Sequence, residues 1–180
     1  SAGSQESRIS YAHIDGNGAV CLVGEKGDSS SSVAIATLFV EGRLTTFTTP
    51  KVARLNGVTR IGTNGLIACG DLGTIARIES RGIEVVGSIC SAKLNAIAIT
   101  PTGGAFTVGA GGHALSLSSN LESTLEAVQT TQEMFALWVG DDGTAWGGSA
   151  RARILRRSTS TWHRVRDLRQ MHDVRAIWGT

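Results

Sequence analysis

The feature that most constrains the fold of this chain is a repeat with a step of 39 residues. Gly65, Gly104 and Gly143 follow one another at this interval, and their surroundings align without a gap. The string Leu55-Asn56-Gly57-Val58 returns one step later as Leu94-Asn95-Ala96-Ile97, and further glycines recur at 70, 109 and 148. A period of about 40 residues, built from short strands and glycine turns, is typical of a β-propeller in which each repeat is one four-stranded blade.

The repeat predicts an all-β chain, a single propeller domain over residues 1–180. Its four blades are expected at about 8–50, 54–92, 93–131 and 133–170. The third blade is the clearest, with strands predicted at Leu94–Thr100, Ala105–Val108, His113–Leu117 and Ser123–Val128. The turns between them are rich in glycine, which tolerates positive φ. Ser29–Ser32 is predicted to be a loop tip in the first blade, and Asn64-Gly65 a hairpin turn in the second.

Residues 173–179 repeat the opening of the fourth blade. Ala176-Ile177-Trp178 matches Ala136-Leu137-Trp138, which predicts the first strand of a fifth blade. Three arrangements remain open: a propeller completed by another chain, self-association through the open ends, or a four-bladed ring closed by the C-terminal strand. An open blade edge would otherwise favour aggregation.

The strings 136–148 (Ala-Leu-Trp-Val-Gly-Asp-Asp-Gly-Thr-Ala-Trp-Gly-Gly) and 174–180 (Val-Arg-Ala-Ile-Trp-Gly-Thr) resemble Asp-box, or BNR-like, propeller repeats. The motif of that family is Ser-x-Asp-x-Gly-x-Thr-Trp, between the third and fourth strands of a blade. Residues 118–125 keep Ser118 and Thr124 in register, with Asn120, Glu122 and Leu125 at the Asp, Gly and Trp positions. In the fourth blade only Thr161-Trp162 is kept. The resemblance implies a bacterial type of propeller; in that family the motif stabilises a turn and assigns no activity.

Sialidases share this repeat type, but the sequence favours a protein that is not an enzyme. Their chemistry needs a tyrosine nucleophile, an arginine cluster and carboxylates around the ring centre. The only tyrosine is Tyr11, which alternates with His13 in a plain predicted strand. Asp141 and Asp142 are adjacent in a predicted turn, so they point apart instead of converging at about 5 Å as in a retaining glycosidase. No catalytic residue and no cofactor is predicted.

The cysteines do not predict a metal site. Cys21, Cys69 and Cys90 are far apart in sequence, and the chain has no Cys-x-x-Cys pair, whereas structural zinc sites use closely spaced ligands. Cys21 and Cys69 are expected at equivalent positions of successive blades, too far apart for a disulfide. All three are predicted to be buried thiols that pack as small apolar side chains.

The C-terminal quarter of the chain carries an unusual charge and aromatic content. Residues 151–180 hold eight arginines and two aspartates, a net charge of +6, whereas residues 1–150 carry −4. All four tryptophans lie between 138 and 178. Arginine and tryptophan are enriched at binding hot spots, and arginine suits carboxylates and phosphates. The predicted partner-binding residues are Trp138, Trp146, Arg151, Arg153, Arg157, Arg175 and Trp178.

These observations predict a non-catalytic binding or scaffold module that contacts a protein, either another chain or a second copy. The alternative is binding of a glycan or another acidic ligand through the Arg/Trp-rich fourth blade. Nucleic acid is a weaker candidate, because the net charge of the whole chain is only +2 and phosphate binding depends on many cations. No apolar run approaches the roughly 20 residues of a membrane span.

Overall fold

The computed structural model describes residues 6–16, 18–28, 31–62, 65–167 and 172–179. The chain divides into two compact units, Ser1–Ser91 and Ala92–Thr180, called unit 1 and unit 2. Each unit contains two β-sheets.

Unit 1 consists of two four-stranded antiparallel sheets in which consecutive strands are neighbours. The first contains β1 (Ser7–Ile14), β2 (Val20–Asp28), β3 (Ser31–Val40) and β4 (Arg43–Thr49). The second contains β5 (Leu55–Ile61), β6 (Gly65–Gly70), β7 (Thr74–Glu79) and β8 (Gly82–Ser88). A buried cluster joins the two sheets, with Cys21, Val23, Ala34 and Ala36 on one side and Leu55, Val58, Ala68 and Ile78 on the other.

Unit 2 repeats this plan with one added strand. Its first sheet contains β9 (Leu94–Ile99), β10 (Ala105–Gly109), β11 (Ala114–Leu117) and β12 (Ser123–Leu125). Its second sheet contains β13 (Ala127–Val128), β14 (Met134–Val139), β15 (Ala145–Ser149), β16 (Arg153–Ser158) and β17 (Thr161–Asp167). The short β13 pairs in parallel with β17, whereas all other pairs in this unit are antiparallel. The four sheets correspond to the four predicted blades.

The predicted fourth strand of the third blade, Ser123–Val128, is wrong in its second half. β12 ends at Leu125, and Ala127–Val128 pairs with the following sheet instead. The cause is Glu126 between them, whose buried carboxylate binds residues of β16 and β17. The chain therefore leaves one sheet for the next at this residue.

The step from the third blade to the fourth is 40 residues, so the gapless alignment of Gly104 with Gly143 is also wrong by one residue. Gly103 and Gly143 occupy the same turn position, with φ of +83° and +78° and an N–H that donates to the carbonyl three residues earlier. The sequence permits either alignment, because glycine occupies both 103 and 104.

Other predictions fall partly outside the described residues. Ser29 and Ser30 of the predicted loop tip and Asn64 of the predicted hairpin turn lie outside them, as do residues 168–170 of the fourth blade. Ser31 and Ser32 belong to β3, so that loop is shorter than predicted. Cys21 and Cys69 are buried thiols as predicted, whereas Cys90 is only half-buried.

The sequence predicts the first strand of a fifth blade at 173–179. The segment 172–179 lies against the second sheet of unit 2 without forming a regular ladder. The N–H of Val174 donates to the carbonyl oxygen of Ser149 at 3.1 Å. A Cβ placed on Gly148 would lie 2.6 Å from Cγ1 of Val174, so this contact requires glycine at 148. The segment thus covers part of one face of the sheet.

Candidate interaction surface

One face of the β14–β17 sheet carries a row of aromatic and basic side chains. Trp138 lies directly opposite Trp146, which lies opposite Arg156, and Arg156 is opposite His163. Directly opposed residues of an antiparallel sheet share a face. The guanidinium of Arg156 is 5.6 Å from the centre of the Trp146 ring, within the range of a cation–π contact.

The segment 172–179 adds to this row. Gly179 lies against the ring of Trp138, where a Cβ would be 2.9 Å from Cζ2. The guanidinium of Arg175 is 4.4 Å from the centre of the Phe135 ring and also donates to Asp173 at 2.8 Å. Trp178 is 84% exposed.

We call this set the Trp/Arg surface: Phe135, Trp138, Trp146, Arg156, Arg175 and Trp178. It combines flat apolar rings with two guanidinium groups that those rings orient. Such a surface can pack against an apolar side chain and bind a carboxylate beside it.

The opposite face of the same sheet is buried against the β9–β12 sheet. Leu155, Ala145 and Trp162 pack there with Phe106 and Val108. The rings of Phe106 and Trp162 meet edge to face with centroids 6.2 Å apart.

A buried ion pair lies at the edge of this face. The carboxylate of Glu126, 1% exposed, accepts hydrogen bonds from Nε and Nη2 of Arg157 at 2.5–2.9 Å. It also accepts one from Nε1 of Trp162 at 2.7 Å. The guanidinium of Arg157 is 4.2 Å from the centre of the Phe106 ring. We call Glu126, Arg157, Trp162 and Phe106 the Glu126 cluster.

The structure brings four of the seven predicted partner-binding residues to the Trp/Arg surface, namely Trp138, Trp146, Arg175 and Trp178. The other three are placed elsewhere. Arg157 belongs to the Glu126 cluster, and Arg153 is half-buried with Nη1 3.1 Å from Oγ1 of Thr130. Arg151 is exposed in the β15–β16 turn, at a φ of +59°.

Sequence reasoning missed Arg156, Phe135 and Glu126. Strict alternation from the buried Leu155 would have placed Arg156 on the outer face, beside Trp146. Glu126 carried a weaker signal, a single acidic residue between the apolar Leu125 and Ala127.

The acidic turn of the fourth blade has the structural role that the sequence predicts. Asp142 accepts hydrogen bonds from the backbone N–H and the hydroxyl of Thr144, at 2.8 and 2.7 Å. These bonds hold the pKa of the Asp142 carboxyl below its ordinary value.

In the part of the chain that the structure describes, no group of three or more His, Cys, Asp and Glu side chains could hold a metal ion. Within the same residues, no helix has the length and apolar character needed to cross a membrane.

Comparison of the sequence with protein-family models and with curated proteins found no match. Solved structures, by contrast, include clear likenesses. The WD40 β-propeller domain of Doa1 matches with a TM-score of 0.68 and 10% identity, over 93% of this chain and 71% of that one. An auxiliary nutrient binding protein from Bacteroides thetaiotaomicron matches with a TM-score of 0.63 and 14% identity, over 89% of this chain and 42% of that one.

A third similar structure is YCF48 bound to D1 peptide, with a TM-score of 0.62 and 12% identity, over 96% of this chain and 57% of that one. The chain thus spans about half the length of the second and third of these proteins. At such identities the likeness shows the fold alone. The predicted β-propeller fold is confirmed, and the resemblance to Asp-box repeats stays a prediction.

Proposed function

We propose that this chain is a non-catalytic β-propeller module that binds a protein through the Trp/Arg surface. The observation that carries the proposal is the exposure of Trp178. This residue follows Trp138 by 40 residues, the step that also separates Gly103 from Gly143. The ring of Trp138 is covered by the backbone of Gly179, whereas that of Trp178 is 84% exposed. A partner segment would lie on Trp178 as Gly179 lies on Trp138.

The energetics favour such a partner. A tryptophan buries on the order of 200 Å² when covered, so at about 25 cal/mol per Å² the exposed part of Trp178 offers about 4 kcal/mol. Arg156 and Arg175 already lie over aromatic rings, so they lose little side-chain freedom when they bind. The expected partner segment therefore carries an apolar side chain flanked by Asp or Glu. Among the similar folds, YCF48 has been solved with a bound peptide.

Display of a random peptide library tests this proposal. The purified protein should enrich peptides that pair an apolar residue with Asp or Glu. Trp178→Ser should weaken binding of those peptides about tenfold or more, as expected for a hot-spot tryptophan. The matched control is Leu44→Ser, which removes another exposed apolar side chain in unit 1 and should leave the affinity unchanged. Enrichment of no sequence, or equal affinity for the two variants, would contradict the proposal.

A second candidate is an acidic ligand such as a sulfated glycan, favoured by the two ring-oriented guanidinium groups and the net charge of residues 151–180. Heparin chromatography tests it. Arg156→Ala with Arg175→Ala should elute at lower salt than the wild type, and at lower salt than Arg43→Ala with Arg81→Ala, which removes the same charge from unit 1. Equal elution of the two double variants would show that only net charge acts.

A further inference from the structure

A cavity of about 530 Å³ lies between the two sheets of unit 1. It opens where β1, β3, β5 and β7 end, and its lining includes His13, Val40, Arg60 and Glu79. Its volume falls within the roughly 300–1,000 Å³ of typical ligand sites.

The inner wall of this cavity is apolar. Cys21 and Ile78 line it and are buried members of the core of unit 1, and Leu38 and Leu66 line it and pack against the same core. A hydrocarbon chain in the cavity would bury its surface against these four side chains. Each buried methylene strengthens binding by about fourfold.

The rim is acidic. Three carboxylates and one guanidinium line the cavity: Asp15, Glu41, Glu79 and Arg60. Arg60 donates to Asp15 at 2.7 Å, and the backbone N–H of Ala19 donates to the other oxygen of Asp15 at 2.9 Å. The positive charge of Arg60 is thereby compensated. Glu41 and Glu79, both exposed, then give the mouth a net negative charge.

His13 does not oppose this charge. Its burial lowers the pKa of the imidazole; the nearby Asp15 acts in the opposite direction, and Arg60 lowers it further. The ring is therefore neutral at pH 7 and adds no positive charge to the lining of the cavity. A hydrogen-bond donor that enters the cavity meets carboxylate acceptors at its rim.

We propose that this cavity binds an organic cation with an apolar stem, an alkylammonium group. The group can belong to a free amine or to a lysine side chain of a partner protein. The stem would lie against Leu38 and Ile78, and the ammonium would lie between Glu41 and Glu79. The site belongs to unit 1 and is independent of the Trp/Arg surface.

Three probes with the same six-carbon stem test the proposal: hexylammonium, 1-hexanol and heptanoate. Titration is followed by the amide chemical shifts of Cys21 and Leu66, which localise the probe. Hexylammonium should bind at least about tenfold more tightly than heptanoate, a difference expected for a reversed charge beside two carboxylates. Nα-acetyl-lysine methylamide distinguishes the sources. Its side chain has a four-carbon stem, so the matched reference is butylammonium. If it binds more tightly than butylammonium, the natural ligand is a protein side chain; if more weakly, it is a free amine.

Variants complete the test. Glu41→Gln and Glu79→Gln should each weaken hexylammonium about threefold, whereas Glu84→Gln, an exposed residue of β8 outside the cavity, should not. Val40→Trp fills the mouth from an exposed position and should abolish the shifts while leaving the thermal melt unchanged. Trp178→Ser should leave hexylammonium binding intact, which separates this proposal from that for the Trp/Arg surface. Equal binding of the three probes, no saturable shift at millimolar hexylammonium, or indifference to loss of both glutamates would overturn the proposal.

Discussion

Replacement of Glu126 by alanine should destabilise the protein more than any substitution on the Trp/Arg surface. The carboxylate of Glu126 is almost completely buried and accepts bonds from Arg157 and Trp162. Its removal leaves a fully buried indole N–H without an acceptor and a guanidinium, 20% exposed, without its counter-ion. Removing one partner of a buried ion pair costs about 3–5 kcal/mol. The orphaned indole accounts for about 1–3 kcal/mol of this loss.

Urea unfolding followed by far-UV circular dichroism and tryptophan fluorescence measures the loss. For a chain of this size each kcal/mol lowers Tm by about 2–4 °C, so Glu126→Ala should melt about 10 °C lower. Glu126→Gln keeps an acceptor for Trp162 and should fall between the wild type and the alanine variant.

Two comparisons isolate the buried charge. The double variant Glu126→Leu with Arg157→Met replaces the pair by apolar side chains and should recover most of the stability. Arg175→Met breaks an ion pair whose arginine side chain is 70% exposed, and it should cost less than about 1 kcal/mol. A loss within about 1 kcal/mol for Glu126→Ala would refute the reasoning, because the pair would then be energetically equivalent to a surface contact.

Three further predictions concern other parts of the molecule. Gly112→Ala should cost clearly more than Gly143→Ala in the same urea titration, because a Cβ at 112 would lie 2.0 Å from a backbone oxygen. Gly143 has a similar φ but open space around it, so its replacement costs only the strain of a left-handed alanine, about 1–2 kcal/mol. Burial raises the pKa of the Cys21 thiol to about 12, so iodoacetamide at pH 8 should modify it only after unfolding; mass spectrometry that finds native labelling would contradict this. The hydrogen bond from Arg54 holds the pKa of Glu25 below its ordinary value of 4.5. The stability that this pair contributes is therefore complete above pH 4.5, and it is lost as the pH falls through the lowered pKa of the folded protein. Glu25→Gln should therefore flatten the acid limb of the stability curve, and an unchanged limb would count against the pair.

The sheets were predictable from the sequence because hairpins are local. A strand followed by a glycine turn and a returning strand depends on about fifteen neighbouring residues, and Leu94–Ile99 and Ala105–Gly109 appear within one residue of their predicted ends. The division between β12 and β13 was not predictable in this way. It depends on Glu126 meeting Arg157, 31 residues later, and no local pattern specifies that pair.

The same limit explains the incomplete prediction of the site. The aromatic and basic content of the C-terminal region located the surface, but the face of each arginine depends on which side of β16 is buried. Leu155 is inside, so Arg157 lies on the inner face, over Phe106 of β10 and bound to Glu126. Arg153 lies two residues before Leu155 and is held by Thr130. Composition alone cannot distinguish an arginine that stabilises from one that is free to bind.

Arg156 and Arg157 make this distinction testable with two adjacent residues. Both are arginines of β16, but Arg156 lies over Trp146 on the outer face and Arg157 binds Glu126 on the inner face. Arg157→Ala should lower the free energy of unfolding by about 3 kcal/mol or more, because it leaves the buried carboxylate of Glu126 without a counter-ion. Arg156→Ala should change it by less than about 0.5 kcal/mol and instead weaken binding of the selected peptides. If the two variants lose stability equally, alternation along β16 does not place Arg156 and Arg157 on opposite faces of the sheet. The Trp/Arg surface would then lack Arg156.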